Sequence, residues 1–207
     1  AGAPLTAGIT ETFTYFDNQS YADVTYSGEM WELDPVEVVP RPVPKTRTFT
    51  VPEIERAVID EAMKTKGGYE ALRAYLAAND LALLVSRDVT RRADEQQPFN
   101  LSIPGGVSTV AEGGTPEPIQ EIQFFQADQV RAYDAHRKGR RPVPREMHDA
   151  PAGDGSLPGS YKLGMDGSFA AVVPARRAMT WQLTAPDGSP VVRERYWVTF
   201  QPGEIRA

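Results

Sequence analysis

MTWQLTAPDGSPVVRERYWVTF, residues Met179–Phe200, decides the fold class of this chain. It contains short apolar runs around Asp187–Gly188, a dipeptide that is the strongest short-range signal of a β-hairpin because both residues tolerate the backbone angles of the turn. The preceding stretch YKLGMDGSFAAVV, residues Tyr161–Val173, repeats this arrangement around Asp166–Gly167. We therefore predict two strand pairs in this part of the chain.

Glycine and proline punctuate the rest of the chain in the same manner. The 17 glycines and 18 prolines separate short apolar runs, which is typical of many short strands joined by turns. In TETFTYF, residues 10–16, alternation puts Phe13 and Tyr15 on one strand face. In the run 22–40, the same alternation puts Trp31 and Leu33 on another strand face.

One segment has helical rather than extended periodicity. TFTVPEIERAVIDEAMK, residues 48–64, contains Thr50 as a candidate N-cap with Glu53 three residues later, which is the spacing of a capping box. Pro52 suits the first turn of a helix. Three apolar residues then recur at helical spacing, namely Ile54, Val58 and Ala62.

A second helical run follows Gly67–Gly68. YEALRAYLAAND, residues 69–80, places three side chains on one helix face, namely Leu72, Tyr75 and Leu76. We predict a helical hairpin inserted at about residues 50–79. The short apolar run LALLV comes next and is predicted to be a buried strand.

Together these patterns predict a mainly β fold, an antiparallel β-sandwich with a helical hairpin insertion. We expect a single β-rich domain spanning residues 1–207, whose best-defined sandwich segment is 160–207. No apolar run approaches the ~20 residues of a membrane-spanning helix, so no membrane span is expected. The net charge of −6 argues against a nucleic acid partner, because phosphate contacts require a basic surface.

The chain contains no cysteine. This excludes disulfides, thiolate metal sites, a cysteine nucleophile and thioether attachment of haem within these residues. The imidazole ligands available for a metal are His136 and His148, twelve positions apart and without further closely spaced ligands. Asp149 could orient His148. We interpret both histidines as surface residues and predict no metal site.

Three acidic residues lie close together in WELDPVE, namely Glu32, Asp34 and Glu37. Glu32 and Asp34 would share a strand face, the geometry that hydrolysis by paired carboxylates could use if they lined a concave pocket. Alternation puts Trp31 on the opposite, inward face. We therefore interpret the carboxylates as the solvated side of a strand and predict no catalytic residue.

The run RKGRRPVPR, residues 137–145, could contact an anionic partner, although a solvated loop is the favoured interpretation. Aromatic residues at strand spacing could form a sugar-stacking platform or belong to the core, and both alternatives stay open. The solvent exposure of the three tryptophans, Trp31, Trp181 and Trp197, discriminates between them. The other aromatic candidates are Tyr15, Tyr21, Tyr26 and Tyr196.

The C-terminal block DGSFAAVVPARRAMTWQLTAPDGSPVVRERYWVTFQPGEIRA, residues 166–207, resembles a segment of large extracytoplasmic multihaem c-type proteins related to the hydrazine synthase alpha subunit. The resemblance lies in the order of short motifs. These motifs fall at Asp166–Phe169, Val173–Ala175, Gln182–Leu183, Asp187–Gly188, Tyr196–Phe200 and Pro202–Glu204. The segments 31–38 and 72–90 match the family more loosely.

This resemblance implies that the chain corresponds to the middle region of such a protein and ends just before a CxxCH haem motif. It implies a periplasmic or secreted location, haem c in the parent protein, and the remainder of that polypeptide, including the haem segment, as partner. No haem ligand can be carried over, so the isolated chain is expected to be a non-catalytic structural domain. A carbohydrate- or protein-binding β-sandwich module is the alternative, and the oligomeric state stays open.

Overall fold

The computed structural model of this chain describes residues 8–30, 39–40, 42, 50–91, 99–111, 113–130 and 142–207. The chain divides into two compact units, Ala1–Thr46 and Arg47–Ala207. The single domain predicted for residues 1–207 stays a prediction. In the described part of the chain, no helix is long and apolar enough to cross a membrane.

The first unit contains an antiparallel hairpin of β1 (Thr10–Asp17) and β2 (Ala22–Glu29). Asp17 fixes the turn, because its carboxylate accepts the backbone N–H groups of Gln19 and Ser20 at 3.1 and 3.0 Å. The predicted placement of Phe13 and Tyr15 on one face is confirmed, with ring centroids 6.0 Å apart. Tyr26 joins them from β2, 5.6 Å from Phe13. The opposite face carries the hydroxyl pairs Thr12–Ser27 and Thr14–Thr25.

The second unit begins with the predicted helical hairpin, formed by α1 (Glu53–Ala62) and α2 (Gly68–Ala78). A single 3-10 turn at Lys64–Lys66 joins them. The predicted capping box is wrong, because Pro52 occupies the N-cap and no side chain caps the helix. Thr50 lies two residues before that N-cap, too early for its hydroxyl to reach the first free N–H groups of the helix.

The apolar residues that recur at helical spacing, Ile54, Val58 and Ala62, lie on the exposed side of α1. Ile54 and Val58 are 61% and 64% exposed, whereas Ile59 is buried. Ile59 belongs to an apolar cluster with residues of α2 and of the strands that follow, namely Tyr69, Leu76, Leu81, Leu83 and Ile205. Asp60 sets this orientation by accepting the backbone N–H of Tyr69, the second residue of α2, at 2.7 Å.

The strands of the second unit are short and numerous. Those described are β3 (Leu81–Ser86), β4 (Leu101–Ser102), β5 (Ser108–Thr109), β6 (Glu117–Pro118), β7 (Glu121–Val130), β8 (Pro142–Glu146), β9 (Ser160–Lys162), β10 (Phe169–Pro174), β11 (Ala178–Thr184), β12 (Pro190–Arg193), β13 (Val198–Thr199) and β14 (Ile205–Arg206). The predicted buried strand LALLV is confirmed as β3.

Three sheets are built from the described strands of this unit. A six-stranded antiparallel sheet has the order β12-β11-β7-β8, with β13 on β11 and β9 on β7. A second sheet has β3 in the centre, between antiparallel β10 and parallel β14, and a third has the order β5-β4-β6. The first two sheets bury a common core, which includes Leu84 and Val173 from one and Phe124 and Met179 from the other. The predicted mainly β fold with antiparallel sheets is confirmed.

The two Asp-Gly turns have different roles. Asp187–Gly188 joins β11 and β12, which pair directly, as predicted. Asp166–Gly167 joins β9 to β10, but these strands do not pair with each other, since β9 lies on β7 and β10 lies on β3. This second turn therefore connects the two sheets that enclose the core, and the hairpin predicted there is wrong in its pairing.

Candidate functional site

The segment Phe200–Arg206 is fixed to the central strand β3 by its own backbone. Gly203 donates its N–H to the carbonyl of Leu81 at 2.9 Å, and Leu83 donates its N–H to the carbonyl of Glu204 at 2.9 Å. Phe200 and Ile205 are buried on either side of this turn. The end of the described chain is thereby held as part of the fold.

Side chains reinforce the same segment. The Glu204 carboxylate accepts the backbone N–H of Gln201 at 2.8 Å and the Nε–H of Arg206 at 2.7 Å. The Arg206 guanidinium also lies over the Phe200 ring, 4.7 Å from its centroid. Turn, ion pair and ring therefore form one compact arrangement around the Pro202–Glu204 motif.

A polar network surrounds Gln126, which is fully buried in β7. Its amide nitrogen lies 2.7 Å from Asp128 Oδ1, 3.1 Å from Asp149 Oδ2 and 3.1 Å from His148 Nε2. Its amide oxygen accepts the backbone N–H groups of His148 and Asp149. The hydrogen bond from Gln126 is the main cause that lowers the pKa of the Asp149 carboxyl. Burial acts in the opposite direction and raises this pKa, while Arg177 and His148 lower it further by smaller amounts.

This network differs from the predicted His148–Asp149 pair. His148 Nε2 lies 3.3 Å from Asp128 Oδ2 and 3.8 Å from Asp149 Oδ1, so Asp128 is the closer carboxylate. His148 Nδ1–H donates to the carbonyl of Glu146 at 2.9 Å, which leaves Nε2 to accept from Gln126 when the ring is neutral. Within the described ranges, no group of three or more histidine and carboxylate side chains is arranged to hold a metal ion.

A second polar centre, which sequence patterns did not indicate, is Glu121. Its buried carboxylate accepts the hydroxyl of Ser160 at 2.6 Å and the backbone N–H groups of Ser156 and Leu157 at 2.8 and 3.4 Å. Burial alone would raise the pKa of this carboxyl, but these hydrogen bonds outweigh it and lower the pKa below its ordinary value. Glu121 therefore fastens the loop before β9 to the six-stranded sheet.

Two clefts border the β3–β10 sheet, and Val85, Ser86 and Phe169 line both of them. The first cleft, of about 960 Å³, lies between this sheet and the exposed face of α1, where Ile54 and Val58 line it. The second cleft, of about 770 Å³, opens on the core side and is lined by aromatic residues and by Arg91, Arg193 and Arg195. No motif in the sequence marks these arginines, although Arg193 and Arg195 alternate in the run VVRERYW.

The aromatic candidates of the second unit differ in their exposure. Trp181 and Trp197 are half-buried, and Trp181 packs with its ring centroid 6.0 Å from that of Phe124 in the core. Tyr196 is exposed at the mouth of the second cleft.

Several candidates lie outside the described residues, namely Trp31, Glu32, Asp34, Glu37, His136, Arg137, Lys138, Arg140 and Arg141. Arg145, the described end of the basic run, lies 3.9 Å from Asp128.

Comparison with known proteins gives one partial likeness. No protein-family model matches the chain, and no curated protein matches it in sequence. Among solved structures, hydrazine synthase of Kuenenia stuttgartiensis is similar over 62% of this chain, with 13% identity and a TM-score of 0.37. The similarity covers 17% of the length of that chain. The predicted resemblance is met in its coarser form, as partial structural similarity to hydrazine synthase.

Proposed function

We propose that this chain is a non-catalytic structural domain of an extracytoplasmic c-type-haem-bearing protein, and that it positions the haem segment that comes next in the parent polypeptide. The observation that carries the proposal is the fixing of Phe200–Arg206 to β3 through the Gly203–Leu81 and Leu83–Glu204 hydrogen bonds. The proposal that the held segment binds haem rests on the order of the short motifs in the C-terminal block, which resembles that of multihaem c-type proteins.

The mechanical part of this proposal rests on chain geometry. An extended chain covers at most ~3.6 Å per residue, so a motif five residues beyond Arg206 would lie within about 18 Å of the end of β14. Because Ile205 pairs in register with Leu83 in the centre of the sheet, that starting point moves only when the core moves. Such a domain fixes the distance and orientation of the haem segment and shields one face of the haem from water, which tunes its potential.

The direct experiment uses the parent gene, extended past Ala207 and expressed in a host that matures c-type cytochromes. A haem absorption band that persists after denaturation and washing would show covalent attachment. A Gly203→Ala variant of that protein should keep the haem but shift its midpoint potential. The control variant Gly105→Ala should keep the haem and leave the midpoint potential unchanged. Absence of a covalent band, beside a co-expressed cytochrome that does mature, would overturn the proposal.

The alternative is a carbohydrate- or protein-binding module, and the exposed aromatic face of the first unit favours it. Phe13, Tyr15 and Tyr26 are 42%, 46% and 36% exposed and lie on one face of the hairpin. Sugar rings stack on such faces. An NMR titration of the isotope-labelled protein with cellohexaose tests this alternative. Saturable chemical-shift changes at these rings, lost in Tyr15→Ser and kept in Thr14→Ser, would support it. Absence of saturable shifts at these rings would exclude an oligosaccharide of this kind.

A further inference from the structure

The cleft on the core side of the β3–β10 sheet carries positive charge in a protein whose net charge is −6. Arg91 lines it after β3, Arg193 ends β12, and Arg195 comes two residues later. All three residues are exposed, and none has an ion pair or hydrogen bond to its guanidinium among the described residues. Elsewhere in the described chain, by contrast, Arg56, Arg87 and Arg177 each meet a carboxylate.

The carboxylate in the wall of this cleft does not neutralise these arginines. Glu194 lies between two of them in sequence, but its Oε1 accepts the backbone N–H groups of Arg195 and Tyr196 at 2.7 and 2.9 Å. Its backbone is held as well, because the Glu194 N–H donates to the carbonyl of Trp181 at 2.9 Å. The carboxylate is therefore engaged with its own turn, and the described residues that line the cleft carry an excess of positive charge.

The remaining wall is apolar and partly aromatic. Phe169 and Trp181 are half-buried in the floor, and Phe99 and Tyr196 are 47% and 71% exposed at the rim. A volume of about 770 Å³ lies within the ~300–1,000 Å³ of clefts that bind small molecules, which combine apolar walls with a few polar groups. Guanidinium groups match carboxylates with two parallel hydrogen bonds, and aromatic walls favour a flat ring.

We propose that this cleft binds a small aromatic carboxylate, with its ring against Phe169 and Trp181 and its carboxylate held by Arg193 and Arg195. Arg91, which also lines the cleft, adds a third positive charge. The residues that line this cleft all belong to the second unit of this chain, so the test needs no haem.

The test is a titration of ¹⁵N-labelled protein with 1-naphthoate, in parallel with the neutral analogue 1-naphthylmethanol. We expect saturable shifts of the Trp181 indole N–H with naphthoate and at least tenfold weaker binding of the alcohol. The double variant Arg193→Gln/Arg195→Gln should weaken naphthoate binding by about tenfold or more, since each charge-assisted hydrogen bond contributes on the order of a tenfold change in affinity.

Two matched variants make the outcome specific. Arg73→Gln removes one exposed positive charge on α2, outside the cleft, and should change naphthoate affinity less than twofold. Val58→Ser alters the other cleft and should leave the Trp181 shifts in place. Equal affinity for acid and alcohol, unchanged affinity in the double arginine variant with an unchanged melting temperature, loss of the Trp181 shifts in Val58→Ser, or no saturable shift at all would each overturn the proposal.

Discussion

The backbone N–H of Gly203 donates a hydrogen bond of 2.9 Å to the carbonyl oxygen of Leu81, and this contact brings the C-terminal turn against α2. Gly203 has a φ of +76°, in the left-handed region. A Cβ at this position would lie 3.0 Å from Ala77 Cβ and 3.1 Å from the carbonyl oxygen of Arg73. Both the backbone angle and the close approach therefore require glycine here.

Gly203→Ala is accordingly expected to destabilise the fold more than an equivalent change in open space. Gly105 is the matched control, because it has the same φ of +76° and a Cβ there would meet nothing within 4 Å. We expect Gly105→Ala to cost about 1 kcal/mol from backbone strain alone, and Gly203→Ala about 2–3 kcal/mol. Urea unfolding measures the free energy of unfolding of both variants. Equal decreases in the two variants would show that the close approach to α2 does not destabilise Gly203→Ala.

Glu121 predicts an acid-sensitive contribution to stability. Its folded-state pKa lies below the ordinary value, so its hydrogen bonds stabilise the fold above the unfolded-state pKa and are lost as the pH falls through the folded-state pKa. Glu121→Gln should lower the free energy of unfolding by about 1–3 kcal/mol at pH 7, because an amide cannot accept all three hydrogen bonds. The difference from the wild type should shrink below about pH 4.

The control for this measurement is Glu117→Gln. Glu117 is an exposed residue of β6, and the change should alter the free energy of unfolding by less than about 0.5 kcal/mol. Chemical unfolding of both variants between pH 3 and pH 7 provides the comparison. A Glu121→Gln deficit that stays constant across this range would assign the loss to packing rather than to the ionised carboxylate.

The sequence predicted those features that local chemistry alone determines. The run LALLV became β3 because its apolar residues are buried on both faces, and Asp187–Gly188 formed a hairpin because the flanking strands pair with each other. Asp166–Gly167 has the same local chemistry, but β7 and β3 provide other partners for its strands. Tertiary pairing of this kind has no local signal.

The candidate site was less predictable for a similar reason. Arg91 and Arg193 are about a hundred positions apart in sequence, and both line one cleft because β3 and β12 border it. Glu121 and Gln126 are polar residues of β7, where polar residues normally indicate a solvated face, and because they are five positions apart they lie on opposite faces of the strand. Both are nevertheless buried, and each is bonded by a different loop: 154–160 bonds to Glu121, and 147–149 bonds to Gln126.

The absence of a capping box gives a prediction for the start of α1. Thr50→Ala should change the free energy of unfolding by less than about 0.5 kcal/mol, because Pro52 is the N-cap and no side chain bonds to the first turn. A hydroxyl that did cap the helix would contribute about 1 kcal/mol. Thermal unfolding with Thr50→Ser as control separates the two cases. A decrease of about 1 kcal/mol in the free energy of unfolding in Thr50→Ala alone would show that the Thr50 hydroxyl does cap α1.

Gln126 is predicted to control the ionisation of Asp149. Gln126→Leu removes the amide hydrogen bond that is the main cause of the lowered Asp149 pKa, so that this pKa should rise towards its ordinary value while Arg177 still holds part of the shift. The backbone N–H groups of His148 and Asp149 also lose their acceptor, which should cost about 1–3 kcal/mol in stability.

A carboxyl ¹³C titration by NMR measures the pKa of Asp149 directly in both proteins. Gln120→Leu, at an exposed position six residues earlier, is the matched control and should leave that pKa unchanged. Because a lowered pKa stabilises the fold only above the unfolded-state value, the stability difference between the wild type and Gln126→Leu should narrow as the pH falls below about 4. An Asp149 pKa that does not move in Gln126→Leu would assign the shift to Arg177 instead.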